Sequence, residues 1–250
     1  MEITVPTIAM LTGIFLLAGG VKGLIGIGLP TVALALLVHF MPLREGAALM
    51  VLPAILTNIW QASSGGHGLV LLKRFWLMLV MLCLATWIGV GLLVASDERL
   101  MSGIFGVVIT LYAIVGLTRP VPRPLGPHSE VWLSPLIGIA NGLLNGLTGS
   151  FAFPGILYLE ALRLNRDAMI QAMGILFLVA STALAVALTG HKVMTATLFI
   201  LSVGATLPAL AGYYAGQYCR RKLPEAMFRK VFLSGLLGLG VYTAATNFLR

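Results

Sequence analysis

A long apolar run near the start of the chain, about residues 5 to 40, is interrupted by a glycine-rich segment. The segment reads Gly19-Gly20-Val21-Lys22-Gly23-Leu24-Ile25-Gly26-Ile27-Gly28-Leu29-Pro30. Glycine permits backbone conformations that other residues resist, and proline withholds a backbone donor where a helix would restart. An ammonium group inside such a run should face protein or a cavity rather than lipid. The pattern therefore predicts a membrane segment that is broken close to Lys22.

The composition extends this prediction to the whole chain. Of its 250 residues, 59% are hydrophobic and only 10% are charged, whereas a soluble domain carries about 25% charged residues. A spanning helix needs about 20 apolar residues, so the chain has room for about eight to ten transmembrane segments. The net charge of +8 resides in short loops, which is typical of membrane topology and predicts no nucleic-acid partner. The histidines lack metal-ligand spacing, so we expect no metal ion and no cofactor.

The second half of the chain repeats the plan of the first. Gly19-x-x-x-Gly23-Leu24-x-Gly26 recurs as Gly142-x-x-x-Gly146-Leu147-x-Gly149, and a proline follows each copy. We therefore predict an all-α membrane protein made of two repeats, residues 1–118 and 131–250, joined by a cytoplasmic proline-rich linker at 119–130. Each repeat would hold about five helical segments, and the first two of each would be either full crossings or a broken, re-entrant pair.

The odd number of net membrane crossings in the first repeat predicts that the two repeats are inverted. The first two segments return the chain to its starting face, and the next three carry it to the other face, where the second copy begins. The distribution of basic residues supports this arrangement, because one face then receives most of them and should be cytoplasmic. Both termini would be periplasmic. The basic residues assigned to the cytoplasmic face are Lys73, Arg74, Arg119, Arg123, Arg163, Arg166, Arg220, Arg221, Lys222, Arg229 and Lys230.

Inverted repeats with paired glycine- and proline-interrupted segments are typical of secondary transporters, whose sites lie near the midplane where the breaks converge. Free N–H groups at the start of a half-helix attract anions, and Lys22 adds a full positive charge. Aligned on the glycines, Asn145 is the partner of Lys22, and an amide donates to an oxyanion without adding charge. The sequence thus favours a small anionic substrate. The candidate substrate-binding residues are Lys22, Gly19, Gly23, Gly26, Gly28, Asn141, Asn145, Gly146, Thr148, Gly149, Ser150, Asn58, Gln61 and Gln171.

Structural alternatives remain open for these residues. Small residues four positions apart also let membrane helices pack closely, so the paired glycines would serve equally well as packing notches. Lys22 would reach an interface by snorkelling if the break lies near the surface. The amide side chains of Asn58, Gln61 and Gln171 are candidates for interhelical hydrogen bonds. Glu160 either pairs with a neighbouring arginine or carries a coupling proton.

The duplicated glycine-rich break, the hydropathy and the basic–acidic turns Arg44-Glu45 and Arg166-Asp167 resemble the sulfite exporter TauE/SafE family of bacterial inner-membrane permeases. The resemblance spans essentially the whole chain. The chain departs from the family's usual pattern after Gly28, where Leu29-Pro30 replaces a glycine run. The resemblance implies export of small anions such as sulfite, organosulfonates or related organic acids across the inner membrane.

Two other functional classes stay open at this stage. An anion channel would share the midplane site but would lack alternating access. A membrane-embedded enzyme acting on lipid substrates would need a cluster of acids, histidines or a nucleophile with its base, and the sequence has none, so we expect no enzymatic activity. For a transporter, the coupling ion would be a proton or sodium, and a homodimer is compatible with the sequence.

Overall fold

The computed structural model describes residues 4–118, 124–150, 153–220 and 225–249, and the regular secondary structure in these ranges is all helical, with no strand among them. The helices are α1 Val5–Ile25, α2 Leu29–Leu37, α3 Leu43–Ser63, α4 Gly68–Ala95, α5 Glu98–Thr118, α6 Pro127–Thr148, α7 Gly155–Ala161, α8 Arg166–Gly190, α9 Ala196–Arg220 and α10 Glu225–Phe248. The predicted all-α class is confirmed.

Among the described residues, eight helices are long and apolar enough to cross a membrane, namely all except α2 and α7. These two short helices have 9 and 7 residues. At about 1.5 Å per residue they extend only about 10–14 Å, less than half of a hydrocarbon core of about 30 Å. The second segment of each half is therefore too short for a full helical crossing by itself. Re-entry of the first two segments as a pair stays a prediction, because α1 and α6 are themselves long enough to cross.

Several helices are longer than the apolar runs predicted. Lys73 and Arg74 were expected in a loop, but they lie inside α4, and α6 already begins at Pro127 within the expected linker. Long basic side chains are good helix formers and extend their charged ends away from the apolar layer, so a helix need not end where the apolar run ends. Residues 119–123 of the linker lie outside the described residues.

The chain forms two compact units, and each draws helices from both halves of the sequence. One unit contains α1, α2, the first part of α3 up to Pro53, α5, α9 and α10. The other contains the rest of α3 from Ala54, together with α4, α6, α7 and α8. Compactness in space is a different property from repetition in sequence, so the predicted division at residues 118 and 131 stays a prediction.

The most extensive helix pairs inside the two units correspond to one another. In the first unit α1 packs along α9 and α5 along α10, and in the second unit α6 packs along α4. If α1 to α5 correspond in order to α6 to α10, the pair α1–α9 corresponds to α6–α4, and α5–α10 corresponds to itself. This correspondence is consistent with the predicted inverted repeat.

Candidate functional site

The first break separates α1 from α2. Gly26 ends α1 with a φ of 81°, and its N–H donates to the carbonyl of Lys22 at 2.7 Å. Gly28 follows with a φ of 106°, and α2 begins at the next residue with Pro30 in its first turn. Glycine alone adopts these left-handed conformations without strain. The break predicted in this stretch is therefore confirmed.

Lys22 lies in the last turn of α1, and its side chain is only 2% exposed. Among the described residues it is the only buried side chain that carries a formal charge. The partial negative charge at a helix C-terminus offsets part of the cost of burying an ammonium group. Burial to this degree does not fit a lysine that snorkels to an interface.

The glycines before the first break bring two helix backbones together. A Cβ atom added at Gly19 would overlap the carbonyl oxygen of Ala209 on α9, and one added at Gly23 would overlap that of Tyr213. Such close approach is the function of small residues spaced four apart in membrane helices. The reciprocal notches on α9 are Gly212, which faces the carbonyl of Leu16, and Gly216, which faces that of Gly20.

The second copy packs in the same way. A Cβ added at Gly142 on α6 would overlap the carbonyl oxygen of Leu82 on α4, and one at Gly146 would overlap that of Thr86. The packing alternative therefore describes what Gly19, Gly23 and Gly146 do in this structure. Contact of these glycines with a substrate stays a prediction.

The second break separates α6 from α7. Gly149 ends α6 with a φ of 65°, and its N–H donates to the carbonyl of Asn145 at 2.7 Å. The N–H of Gly155, which begins α7, donates to Oδ1 of Asn141 at 3.1 Å. Residues 151 and 152 lie outside the described residues. The N–H at the start of α7, which the sequence predicted would face an anion, is therefore bonded to a protein side chain.

The side chain of Asn145 is fully buried and joins three helices. Its Nδ2 donates to Oγ1 of Thr86 on α4 at 3.1 Å and to the carbonyl of Ala180 on α8 at 2.9 Å. Both amide hydrogens, which the predicted anion contact requires, are thus engaged within the protein. Thr148 is also buried, and its hydroxyl donates to the carbonyl of Leu144 at 2.6 Å. Ser150 is buried beside it.

The two glutamines among the candidates form reciprocal hydrogen bonds between α3 and α8. Nε2 of Gln171 on α8 donates to the carbonyl of Ala62 at 2.9 Å, and Nε2 of Gln61 on α3 donates to the carbonyl of Ile170 at 3.3 Å. Oε1 of Gln171 also accepts the N–H of His67 at 2.7 Å. These contacts match the interhelical alternative.

The candidates fall into two groups. Lys22 and the glycines of the first break belong to the unit that contains α1, whereas all the other candidates belong to the unit that contains α6. Asn58, in the latter group, is fully buried on α3. Sequence reasoning missed the partners supplied by distant helices, namely Thr86, Ala180 and the α9 glycines. The spacing of Gly212 and Gly216 by four positions was a usable signal, but nothing local identifies Thr86 or Ala180.

Sequence reasoning also missed an ion pair at the start of α6. Nε and Nη2 of Arg74 on α4 donate to the two carboxylate oxygens of Glu130 on α6, at 2.5 and 2.7 Å. Phe75, the next residue on α4, packs edge-on against Tyr158 of α7 with ring centroids 6.3 Å apart. These contacts join the beginnings of α4 and α6 to the short helix after the second break.

In the described part of the chain, eight helices are apolar and long enough to span a membrane, and a charged side chain is buried beside a helix break, which defines a multi-pass membrane protein. The model of the sulfite exporter TauE/SafE family matches residues 11–243, and the chain belongs to this family of membrane transporters. Comparisons with curated proteins and with solved structures found no significant match.

Proposed function

We propose that the protein is a secondary transporter that exports small anions such as sulfite, organosulfonates or related organic acids. It would bind the anion through Lys22 and work by alternating access. The observation that carries this proposal is the burial of Lys22 at a helix break in a membrane-spanning segment. Family membership supports transport, and the chemistry of Lys22 supports an anion.

The physical case rests on the cost of a buried charge. An ammonium group removed from water loses roughly several kcal/mol of hydration free energy. A membrane protein therefore retains such a group where it has a function. A bound oxyanion would offset that cost through a charge-assisted hydrogen bond. A lysine used only for packing would be replaced by an apolar side chain at lower cost, so its presence favours a ligand.

The start of α2 adds a second favourable element within the same unit. α2 follows two glycines in left-handed conformations, and no side chain caps its N-terminus. The first N–H groups of a helix carry partial positive charge. Lys22 and the start of α2 therefore flank the first break with groups that attract anions, and neither brings a carboxylate.

The proposed arrangement in the membrane follows the inverted repeat. The protein lies in the bacterial inner membrane, and residues 1–118 and 131–250 form the two repeats. Both termini are periplasmic, and the linker at 119–130 is on the cytoplasmic side. α2 is too short to cross alone, so α1 and α2 must enter and leave at the same face for this topology to hold. Assembly as a homodimer and coupling to a proton or a sodium ion are proposed together with this topology.

The proposal is tested by anion binding and transport in Lys22→Ala and Lys22→Arg, with Lys73→Ala as the matched control at an exposed lysine of α4. Loss of a charge-assisted hydrogen bond costs about 1.5–3 kcal/mol, or roughly one to two decades in affinity. We expect that loss for sulfite or short sulfonates in Lys22→Ala. We expect partial retention in Lys22→Arg, which keeps the charge but changes the geometry, and no change in Lys73→Ala.

Titration calorimetry measures binding, and uptake of labelled anions into proteoliposomes, with and without an ion gradient, measures transport. Unchanged affinity in Lys22→Ala would overturn the assigned role of this lysine. If the vesicles never accumulate the anion above its own electrochemical gradient, whatever ion gradient is imposed, the result would favour the anion channel instead.

A further inference from the structure

The orientation of the Asn145 amide is fixed by its hydrogen bonds. A carbonyl oxygen only accepts, so the atom that faces the carbonyl of Ala180 at 2.9 Å must be the nitrogen. The same nitrogen donates to Oγ1 of Thr86 at 3.1 Å. A flipped amide would place two acceptor oxygens against each other. The assignment of Nδ2 and Oδ1 in Asn145 is therefore fixed.

This oxygen is buried, and no hydrogen-bond donor among the described residues reaches it. Asn145 itself is 0% exposed, so bulk water does not solvate the atom. A buried acceptor without a partner costs about 1–3 kcal/mol, so such a group in a native protein calls for an occupant such as an ordered water or an ion. The oxygen can receive only a donor or a cation, and an anion would be repelled.

The end of α6 has the same electrostatic character. Asn145 lies one turn before the left-handed Gly149, and the last carbonyl groups of a helix lack intrahelical partners and carry partial negative charge. Two donors near this break are used within the protein, since the N–H of Gly155 is bonded to Asn141 and the hydroxyl of Thr148 to Leu144. The second break thus offers acceptor oxygens, whereas the first break offers a cationic group.

We propose that Oδ1 of Asn145 is a ligand of a sodium ion that couples to anion transport. Neutral oxygens suit a hard monovalent cation, whereas a divalent ion needs carboxylate ligands to compensate its charge. The stretch from Asn141 to Ser150 contains no carboxylate and no histidine, so it has no group that titrates to carry a proton. Unwound carbonyls and half-helix C-terminal ends suit this role in membrane transporters.

The coupling role rests on the proposed transport function, but sodium binding is measured without any anion. The purified full-length protein is titrated with radiolabelled sodium in a choline chloride buffer of constant ionic strength. Thermal unfolding is followed in parallel in sodium, potassium and choline chloride. Saturable binding of sodium, and a rise in unfolding temperature that sodium produces and equal potassium does not, are the expected results.

Two variants separate the oxygen from its structural surroundings. Asn145→Leu replaces the amide by an apolar side chain of similar size and should weaken sodium binding at least about tenfold. Thr86→Val removes the hydroxyl that accepts from Nδ2 but leaves Oδ1 in place, and it should retain sodium affinity within about threefold. If Asn145→Leu fails to fold, Asn145→Ser, which removes the amide oxygen and keeps a polar side chain, replaces it in the same titration and should also weaken sodium binding.

Absence of saturable sodium binding to the wild-type protein would overturn the inference, as would equal stabilisation by potassium or equal affinity in Asn145→Leu. A buried water at Oδ1 would then be the simpler occupant. If sodium binds but Lys22→Ala leaves anion affinity unchanged, the role assigned to Lys22 fails while the sodium site stands. If the wild-type protein binds no sodium but Lys22→Ala loses anion affinity, only the sodium site is overturned.

Discussion

Gly23→Ala, compared with Gly13→Ala on the same helix, tests whether the glycines of α1 form a backbone-to-backbone interface. At Gly23 an added Cβ would overlap the carbonyl oxygen of Tyr213 and lie 2.9 Å from the backbone nitrogen of Gln217. At Gly13 the added Cβ meets nothing within 4 Å. Because the obstructing atoms belong to the backbone of α9, rotation of a side chain cannot relieve the overlap.

The expected magnitudes have opposite signs. Replacing glycine by alanine inside a helix gains about 0.5–1 kcal/mol from reduced backbone entropy, and Gly13→Ala should show this gain. Overpacking at a closely packed contact costs about 1–3 kcal/mol, so Gly23→Ala should lose stability on balance. For a chain of this size, 1 kcal/mol corresponds to roughly 2–4 °C in unfolding temperature, by analogy with soluble domains.

The assay is thermal unfolding of the purified proteins in one detergent, followed by size-exclusion recovery, together with anion transport in proteoliposomes. We expect Gly23→Ala to unfold several degrees below the wild type and Gly13→Ala at or above it. Gly146→Ala, opposite the carbonyl of Thr86, should behave like Gly23→Ala. Equal unfolding temperatures for Gly13→Ala and Gly23→Ala would refute the interface.

Two further predictions concern topology and the ion pair on α4 and α6. Reporter fusions after residue 250 and within residues 119–130 should give opposite compartments, the former periplasmic, and a single compartment for both would disprove the inverted repeat. Arg74→Glu should lower stability by about 1 kcal/mol, since the pair is only partly buried and two carboxylates would then face each other. The reversed pair Arg74→Glu with Glu130→Arg should recover part of that loss in thermal unfolding, and a double variant no more stable than Arg74→Glu would show that the pair contributes nothing.

Local features of the sequence determined much of this protein. The low charge content required a membrane environment, and Gly26, Gly28 and Gly149 specified the backbone conformations at which α1 and α6 end, because left-handed geometry is a property of the residue itself. The duplication of the break was also readable from spacing alone. The position of Lys22 within an apolar segment was likewise readable from the sequence.

The tertiary structure decided what the individual polar and small residues do. The spacing of Gly19 and Gly23 predicted a packing notch, but only the structure shows that Gly23 faces the backbone of α9, whereas a Cβ added at Gly13 meets nothing within 4 Å. Asn145 was predicted to donate to an anion, but Thr86 and Ala180, 59 and 35 positions away, take both of its amide hydrogens. A hydrogen bond depends on where the partner helix lies, and the chain encodes that position through the packing of all its helices. The amide therefore keeps only an acceptor oxygen, which reverses the charge of the ligand that it suits.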